Sequence, residues 1–322
     1  MNRGDAGDAV VVGAGHNGLV AANLLIDAGW NVVVLEASGR PGGAIKSDGS
    51  LYPGFVTDWY SAFYPLAAAS PVLNSLELER WGLSWCRAPA VLAHVFPDGR
   101  CAVLGRDVET TAASMETFAP GDGAAWIKLV EEFEKIREPF LQAILGPFPP
   151  VRAAVRLARR MGAADMLRFV RFAVQPVRRF GDETFSGLGA PTLLAGNALH
   201  TDLPPEAAGS AIYGWLLCML GQTVGFPVPR GGSSAIVDAL LARFAAAGGQ
   251  LRVGAPVASI DVGGDRVKGV RLASGERIAA RTVLADVGAP QLYLDLVGRQ
   301  HLPDRLVKDL ESFQWDSPTL KV

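Results

Sequence analysis

Cysteine is scarce in this chain of 322 residues: Cys86, Cys101 and Cys218 stand far apart, and no CxxC pair occurs. That spacing excludes a zinc finger or ribbon and a redox-active dithiol, and it suits thiols kept reduced in a reducing compartment. Charge of one sign is lacking too. A formal net charge of −2 gives no global attraction to nucleic acid, and no zinc-finger or basic-aromatic pattern appears, so nucleic acid is not an expected partner. The histidines His16, His94, His200 and His301 are scattered. HExxH, GxSxG and paired-carboxylate arrangements are all missing, so no catalytic side chain and no metal-ligating set is assigned. Long apolar runs are nearly absent. One uncharged stretch, Gly209–Pro229, approaches the ~20 residues a membrane span needs, but its internal Gly214, Gln222, Thr223, Gly225 and Pro227 favour buried core or pocket wall. The opening MNRGDAGDA holds two acids and no apolar core of its own, unlike a secretory signal, and the expected location is the cytoplasm.

What the chain does hold is concentrated near its start. Asp8–Val12 is a short β-branched run of the kind that forms a buried parallel strand, and it passes straight into Gly13-Ala14-Gly15-His16-Asn17-Gly18. Leu19, Ala22, Asn23, Leu25 and Ile26 then recur at helical spacing, Gly29 stands where a helix stops, and a second strand covers Asn31–Leu35. A GxGxxG string between a strand and a helix is a dinucleotide fingerprint. Gly13 permits the tight turn, Gly15 lets backbone approach a pyrophosphate, and Gly18 lets the helix pack on the strand. The first amides of the helix and its positive dipole end then face the anion, His16 contributing through its backbone. Glu36, 23 positions after Gly13, is placed to accept hydrogen bonds from a ribose diol and would repel a 2′-phosphate, which disfavours NADP. NAD and FAD are not separated by these residues.

Four positions after Glu36, Arg40-Pro41-Gly42-Gly43 resembles the RxGG motif of FAD enzymes in the glutathione reductase, amine oxidase and phytoene desaturase superfamily. A cation beside two flexible amide positions suits an extended diphosphate. The likeness continues in GAGHNGL around His16-Asn17, in YPGFVTDWYSAFYP, in LELERWGL at Leu76–Leu83, in FPDGR at Phe96–Arg100, and in the long run from Pro227 to Gly288 that opens PVPRGGSS. On these motifs the chain resembles the phytoene dehydrogenase-like FAD-dependent oxidoreductases. The resemblance implies an α/β fold, with a Rossmann-like FAD/NAD(P)-binding domain of three-layer ββα architecture and an inserted α+β substrate domain. It implies FAD as cofactor, held by Gly13, Ala14, Gly15, His16, Asn17, Gly18, Glu36, Ala37, Arg40, Gly42, Gly43 and Ala44, with backbone at Val257 laid against adenine. In desaturation as the family implies it, oxidised FAD takes a hydride from an allylic C–H of an apolar, isoprenoid- or carotenoid-like substrate. The resulting cation loses a neighbouring proton, and oxygen, a quinone or another acceptor reoxidises the flavin. The poverty of catalytic side chains agrees with this, because the cofactor performs the redox step. Members of the family carry a further strand, a Gly-Asp motif and a helix directed at the flavin ring. None of these is found here, so the resemblance implies a chain lacking the C-terminal third, which ends at FQWDSPTLKV in an expected strand of the substrate sheet.

The expected layout gives residues 1–70 and 226–290 to the FAD domain, and residues 71–225 and 291–322 to a mostly helical substrate domain. In the return segment, Arg230-Gly231-Gly232-Ser233 either supplies a turn and helix cap or touches flavin or substrate directly. Ile236, Val237, Leu240, Leu241 and Phe244 form one helical face that Gly248-Gly249 stops. Leu251–Val253, Val257–Val262, Val267–Leu272 and Ile278–Asp286 then read as a small meander of strands. In the middle, a helical stretch around Ala124–Arg137 precedes a proline-bounded break at Pro139–Pro150. Val151–Phe180 follows, with eight arginines against the single acid Asp165, and Arg152, Arg156, Arg159 and Arg160 share one helical face. Such a stretch is a solvated face, a peripheral membrane contact or an anionic handle on substrate. Thr192–Leu199 and Tyr213–Leu220 either line a tunnel for an apolar small molecule or form plain core. Two further functions remain open at this stage: an NAD-linked dehydrogenase, and a non-catalytic protein of dinucleotide-binding fold.

Overall fold

The computed structural model describes residues 7–315 except residue 265. Two compact units share the chain, the first built from residues 1–63, 73–85 and 228–322 and the second from residues 64–72 and 86–227. Strand β1 (Gly7–Val12) opens the first unit, followed by helix α1 (His16–Asp27) and strand β2 (Val32–Leu35). β1 and β2 lie parallel, with Val10 beside Val33 and Val12 beside Leu35. Parallel neighbours are reached only through a crossover, and the α1 sequence supplies it with Leu19, Ala22 and Asn23 on its buried face.

The second unit follows, with a hairpin of β3 (Ala90–Val95) and β4 (Cys101–Gly105) and then helices α2 (Val108–Glu116), α3 (Asp122–Leu145), α4 (Val151–Met161), α5 (Ala163–Ala173), α6 (Val177–Thr184), α7 (Gly189–Leu199) and α8 (Ser210–Thr223). Trp126, Phe133, Leu193, Leu194 and Met219 are among its fully enclosed side chains. The ring of Phe133 meets that of Trp215 edge to face at 5.3 Å, a favoured aromatic geometry. One polar thread crosses this core: Trp126 Nε1 donates to Gln222 Oε1 at 3.0 Å, and Gln222 Nε2 donates to the Gly105 carbonyl at 2.9 Å. Buried polar groups are tolerated when paired in this way. Cys218 lies in the same core, where burial pushes its thiol pKa up and leaves it an unreactive space-filler.

The chain returns to the first unit through helix α9 (Ser234–Ala246) and strands β5 (Gln250–Arg252), β6 (Val257–Gly263), β7 (Arg266–Leu272) and β8 (Arg277–Ala285). The six-stranded sheet has the order β6-β7-β8-β1-β2-β5. β8, β1, β2 and β5 run parallel, while β6, β7 and β8 form an antiparallel meander. On one face Val10 and Val12 pack with Ile260, Val270 and Leu272 of the meander. By strand alternation Ala9 and Val11 point to the other face; α1 packs against β1, β2 and α9. This is the expected Rossmann-like α/β architecture.

Four readings of the sequence need correction. Leu251–Val253 is not part of the meander: β5 pairs parallel with β2 at the sheet edge, Val33 beside Gln250 and Leu35 beside Arg252. Pro139 does not break a helix, because α3 runs through it and buries it on the same face as Phe133, Ile136 and Phe140; the interruption falls at Gly146–Pro150. Residues 73–85 and 291–315 belong to the first unit. Leu76, Leu78 and Leu83 are buried, the Leu76 carbonyl accepting from Arg243 Nε at 3.2 Å, and the π-helical stretch Gln291–Gly298 packs on β6 through buried Leu296. Of the closing segment expected as a strand, Phe313–Trp315 form none, and residues 316–322 lie outside the described residues. The apolar lengths in α7 and α8 resolve as core, with Leu193, Leu194, Leu217 and Leu220 buried. No described helix is long and apolar enough to cross a membrane.

Candidate functional site

β1, β2 and β8 run in one direction, so their carboxyl ends come together, and a ligand of an open α/β sheet binds outside those ends. The residue following each strand is, in turn, Gly13, Glu36 and Asp286. Gly13 takes φ 95°, a conformation side chains disfavour, and donates its amide to the Leu35 carbonyl at 2.8 Å. α1 begins three residues later with no side-chain cap from its own N-cap residue, Gly15. Its first amides need acceptors from elsewhere.

Two carboxylates answer part of that need. Asp286 Oδ2 accepts from the Gly18 amide at 2.9 Å, while the Asp286 amide donates to the Val12 carbonyl at 2.8 Å. Glu36 Oε2 accepts from the Ala14 amide and Oε1 from the Ser38 amide, both at 2.8 Å. The turn is thus bracketed by one acid at each end. Among the described residues the amides of Gly15 and Asn17 have no protein acceptor, so they are the donors the turn offers to an anion. His16 and Asn17 are exposed there.

The second glycine loop lies against the first. The Gly42 amide donates to the Ala14 carbonyl at 2.8 Å, and Gly15 and Gly42 form a parallel bridge. A Cβ on Gly43 would stand 3.3 Å from the Gly15 Cα. Gly43, Ala44 and Ala37 are exposed and Gly42 is buried. Arg40 does not project freely beside this pair of loops. Its Nη2 donates to the Ser47 carbonyl at 2.7 Å and to Ser234 Oγ at 3.3 Å, and Nη1 stands 3.9 Å from Asp48 Oδ2. Val257, half-buried, opens β6 next to a segment stitched to Glu36 and Ser38: the Ala255 amide donates to the Glu36 carbonyl and the Gly254 amide to the Ser38 carbonyl, both at 2.9 Å. The structure thus joins Gly13, Ala14, Gly15, Glu36 and Gly42 around one turn and stitches the segment preceding Val257 to Glu36, while Arg40 is engaged by Ser47 and Ser234.

Supporting contacts fix this arrangement from behind. Arg243 on α9 donates through Nη1 to Asn23 Oδ1 at 3.1 Å and pairs through Nη2 with Asp27 at 2.8 Å, tying α9 to α1. The cap of α9 comes from outside the Arg230–Ser233 turn: Asp58 Oδ1 accepts from the Ser233 amide at 2.7 Å, and Ser47 Oγ from the Ser234 amide at 3.0 Å.

Asp286 is the site residue that the sequence reading missed. It was visible only as the last residue of an expected strand, and its meaning depends on β8 lying parallel to β1 across some 270 intervening residues. It also changes what Gly15 is for. A Cβ at Gly15 would collide with Asp286 Oδ2, and one at Gly18 with the Gly13 carbonyl, so both glycines are demanded by the protein itself before any ligand arrives.

A family model for flavin containing amine oxidoreductases matches residues 18–317. The rat Pyridine nucleotide-disulfide oxidoreductase domain-containing protein 2 is 29% identical, across 98% of this chain and 59% of its own length. A Phytoene desaturase (lycopene-forming) of Paracoccus sp. is 26% identical, across 95% of this chain and 60% of its own. The chain thus spans about three-fifths of the length of these curated relatives. A solved putrescine oxidase superposes with a TM-score of 0.61 at 19% identity, over 95% of this chain and 63% of that one, a likeness of fold. Because the family model takes in nearly the whole chain, this protein belongs to the flavin-containing amine oxidoreductase family, and its cofactor is FAD.

Proposed function

We propose that the protein acts as an FAD-dependent oxidoreductase that removes a hydride from an apolar, unsaturated substrate of isoprenoid type. The observation that carries the cofactor half of this reading is the pairing of the two glycine loops, with the unengaged Gly15 and Asn17 amides at the carboxyl end of β1. The residues fit the ADP portion of FAD. Amides at a helix N-terminus take the pyrophosphate. Glu36 uses one oxygen on each of two amides, and a carboxylate has further lone pairs for ribose hydroxyls. The segment before Val257 offers backbone for the adenine edge.

FAD supplies the hydride-accepting chemistry when bound. This chain's own residues orient it: Gly13, Gly15 and Gly43 keep side chains out of the cradle, Glu36 fixes the sugar, and Asp286 holds the start of α1 in register through Gly18. Arg40, tied to Ser47 and Ser234, braces the second loop, and its charge adds to the field at the phosphates. The apolar substrate class rests on the relatives named as phytoene desaturases, which match over most of this chain.

The test is to purify the full chain, titrate it with FAD and with NAD, and follow flavin fluorescence and bound absorbance. Tight FAD binding with at least tenfold weaker NAD binding supports the reading. The reverse order favours an NAD-linked dehydrogenase, and no binding of either favours a non-catalytic protein. Anaerobic bleaching of the bound flavin by an acyclic polyene, and not by a primary amine, tests the substrate class. Oxygen and a quinone, added separately to the bleached protein, identify the acceptor.

A further inference from the structure

The arginine-rich helices of the second unit carry more than a solvated face. α4 buries Ala153 and Leu157, and α5 turns Met166, Phe169 and Phe172 toward the same core. That register leaves Val151, Val155 and Ala158 exposed on α4, Leu167 and Val170 exposed on α5, and Val174 exposed just past its end. Only Gly162, at φ 78°, separates the two helices. Phe148, in the loop just before α4, is 93% exposed, and Leu167 is 72% exposed. A run of large aliphatic and aromatic side chains presented to water on consecutive helices marks a surface that meets something apolar.

The charges beside these rows say what that is. Arg168 pairs with Asp165, Arg171 and Arg179 share Glu183, and Arg178 pairs with Glu206, so three carboxylates engage those four cations within the unit. Arg156 donates to Gln142 Oε1 at 2.7 Å. Arg152, Arg159 and Arg160 have no carboxylate within ion-pairing distance among the described residues. On the α4 wheel Arg152 and Arg159 border the row of Val151 and Val155, while Arg160 falls on the opposite side, next to buried Ala153. An exposed aliphatic row flanked by unpaired arginines is the pattern of a helix that lies in a membrane interface, the aliphatic side chains entering the acyl boundary and the cations meeting anionic headgroups.

We propose that α4 and α5, with Phe148 before them, form a docking surface for an anionic lipid bilayer. The docking is peripheral and electrostatically assisted, and it does not depend on the flavin reading. Each cation near an anionic leaflet strengthens partitioning roughly fivefold. Replacing Arg152 and Arg159, the two that border the row, by glutamine therefore weakens it on the order of 30-fold.

The experiment is cosedimentation of the full chain with vesicles of phosphatidylcholine alone and of about 3:1 phosphatidylcholine to phosphatidylserine. Wild-type protein should bind the anionic vesicles at least tenfold more tightly, and the preference should shrink as salt is raised. The double variant Arg152→Gln/Arg159→Gln should lose most of that binding, and the double lysine variant should recover most of it. Leu167→Ser/Val170→Ser, at exposed positions that leave the core intact, should lower binding about tenfold or more. Circular dichroism confirms that each variant is folded. Equal binding to both vesicle types, binding insensitive to both variant sets, or no binding to either vesicle overturns the proposal. So does a protein dimer that Leu167→Ser/Val170→Ser dissociates without any vesicle binding, since the face is then a contact between copies.

Discussion

The first unit specifies its shape through backbone and carboxylates, and the second through side-chain volume. Around the glycine turn the decisive contacts are amides donating to Glu36, Asp286 and neighbouring carbonyls, with little room for any Cβ. In the second unit they are rings and aliphatics, Phe133 against Trp215 and Trp126 within reach of Phe185 at 6.4 Å. The exposed apolar residues differ in the same way. In the first unit Tyr52, Phe55, Tyr60 and Phe63 lie in one loop-rich stretch, with a single cation, Lys46, over Trp59. In the second, the exposed aliphatic row of α4 lies beside the unpaired Arg152 and Arg159. A site that must leave space for a ligand is built from what has no side chain, whereas a surface that meets an extended partner is built from what does.

The largest expected effect tests the second half of that contrast. Phe133→Ala, which empties a fully enclosed ring position, should destabilise the second unit by about 3–5 kcal/mol in urea unfolding, while ADP affinity under native conditions stays within about twofold of wild type. A parallel fall in ADP affinity would show that the turn is not self-contained. Next in size, Gly15→Val should weaken FAD binding on the order of 100-fold, because the new side chain meets both the Asp286 carboxylate and the pyrophosphate position. Fluorescence titration reads it, and combining it with Asp286→Ala separates the two clashes: restored structure without restored binding assigns the loss to the ligand. Asp286→Asn is smaller and opposite in sign. It keeps an oxygen for the Gly18 amide and removes a negative charge near the phosphates, so ADP should bind about 3- to 10-fold tighter, the gain fading at high salt.

The smallest effect belongs to the second unit's surface. Glu183 accepts from Arg171, Arg179 and Gln175, which hold its pKa down at about 2 from an ordinary 4.5. Its contribution is therefore complete above pH 4.5 and is lost as pH falls from 4.5 toward 2. Glu183→Gln should lower Tm by only about 1–2 °C near neutrality, as exposed pairs contribute little, and the difference should close in acid. A constant difference across that range would mean the carboxylate acts through packing.

Much of the first unit was legible because its signals are local. Strand, glycine turn, helix and second strand follow one another within Gly7–Leu35, and each is dictated by residues within a few positions. The RxGG loop was legible as a motif, and its contact with Gly15 follows from motif logic. Asp286 was not, because parallel pairing of β8 with β1 leaves no short-range trace in sequence. The same limit misplaced β5, whose partner β2 lies more than two hundred residues earlier. Pro139 misled for a different reason. Its local signal is a helix breaker, but the apolar spacing of Phe133, Ile136 and Phe140 on one helix face outweighs a single lost hydrogen bond. The arginine pairing of the second unit was equally hidden, since Glu183 and Glu206 lie beyond the basic stretch that they neutralise.

The measurement closest to the central claim is calorimetric titration of FAD and of ADP into the full chain, repeated with Glu36→Gln. The account predicts saturable one-site binding of both ligands, with Glu36→Gln costing each about 10-fold or more through the lost ribose contact. Absence of heat with either ligand, or binding indifferent to Glu36, would contradict it.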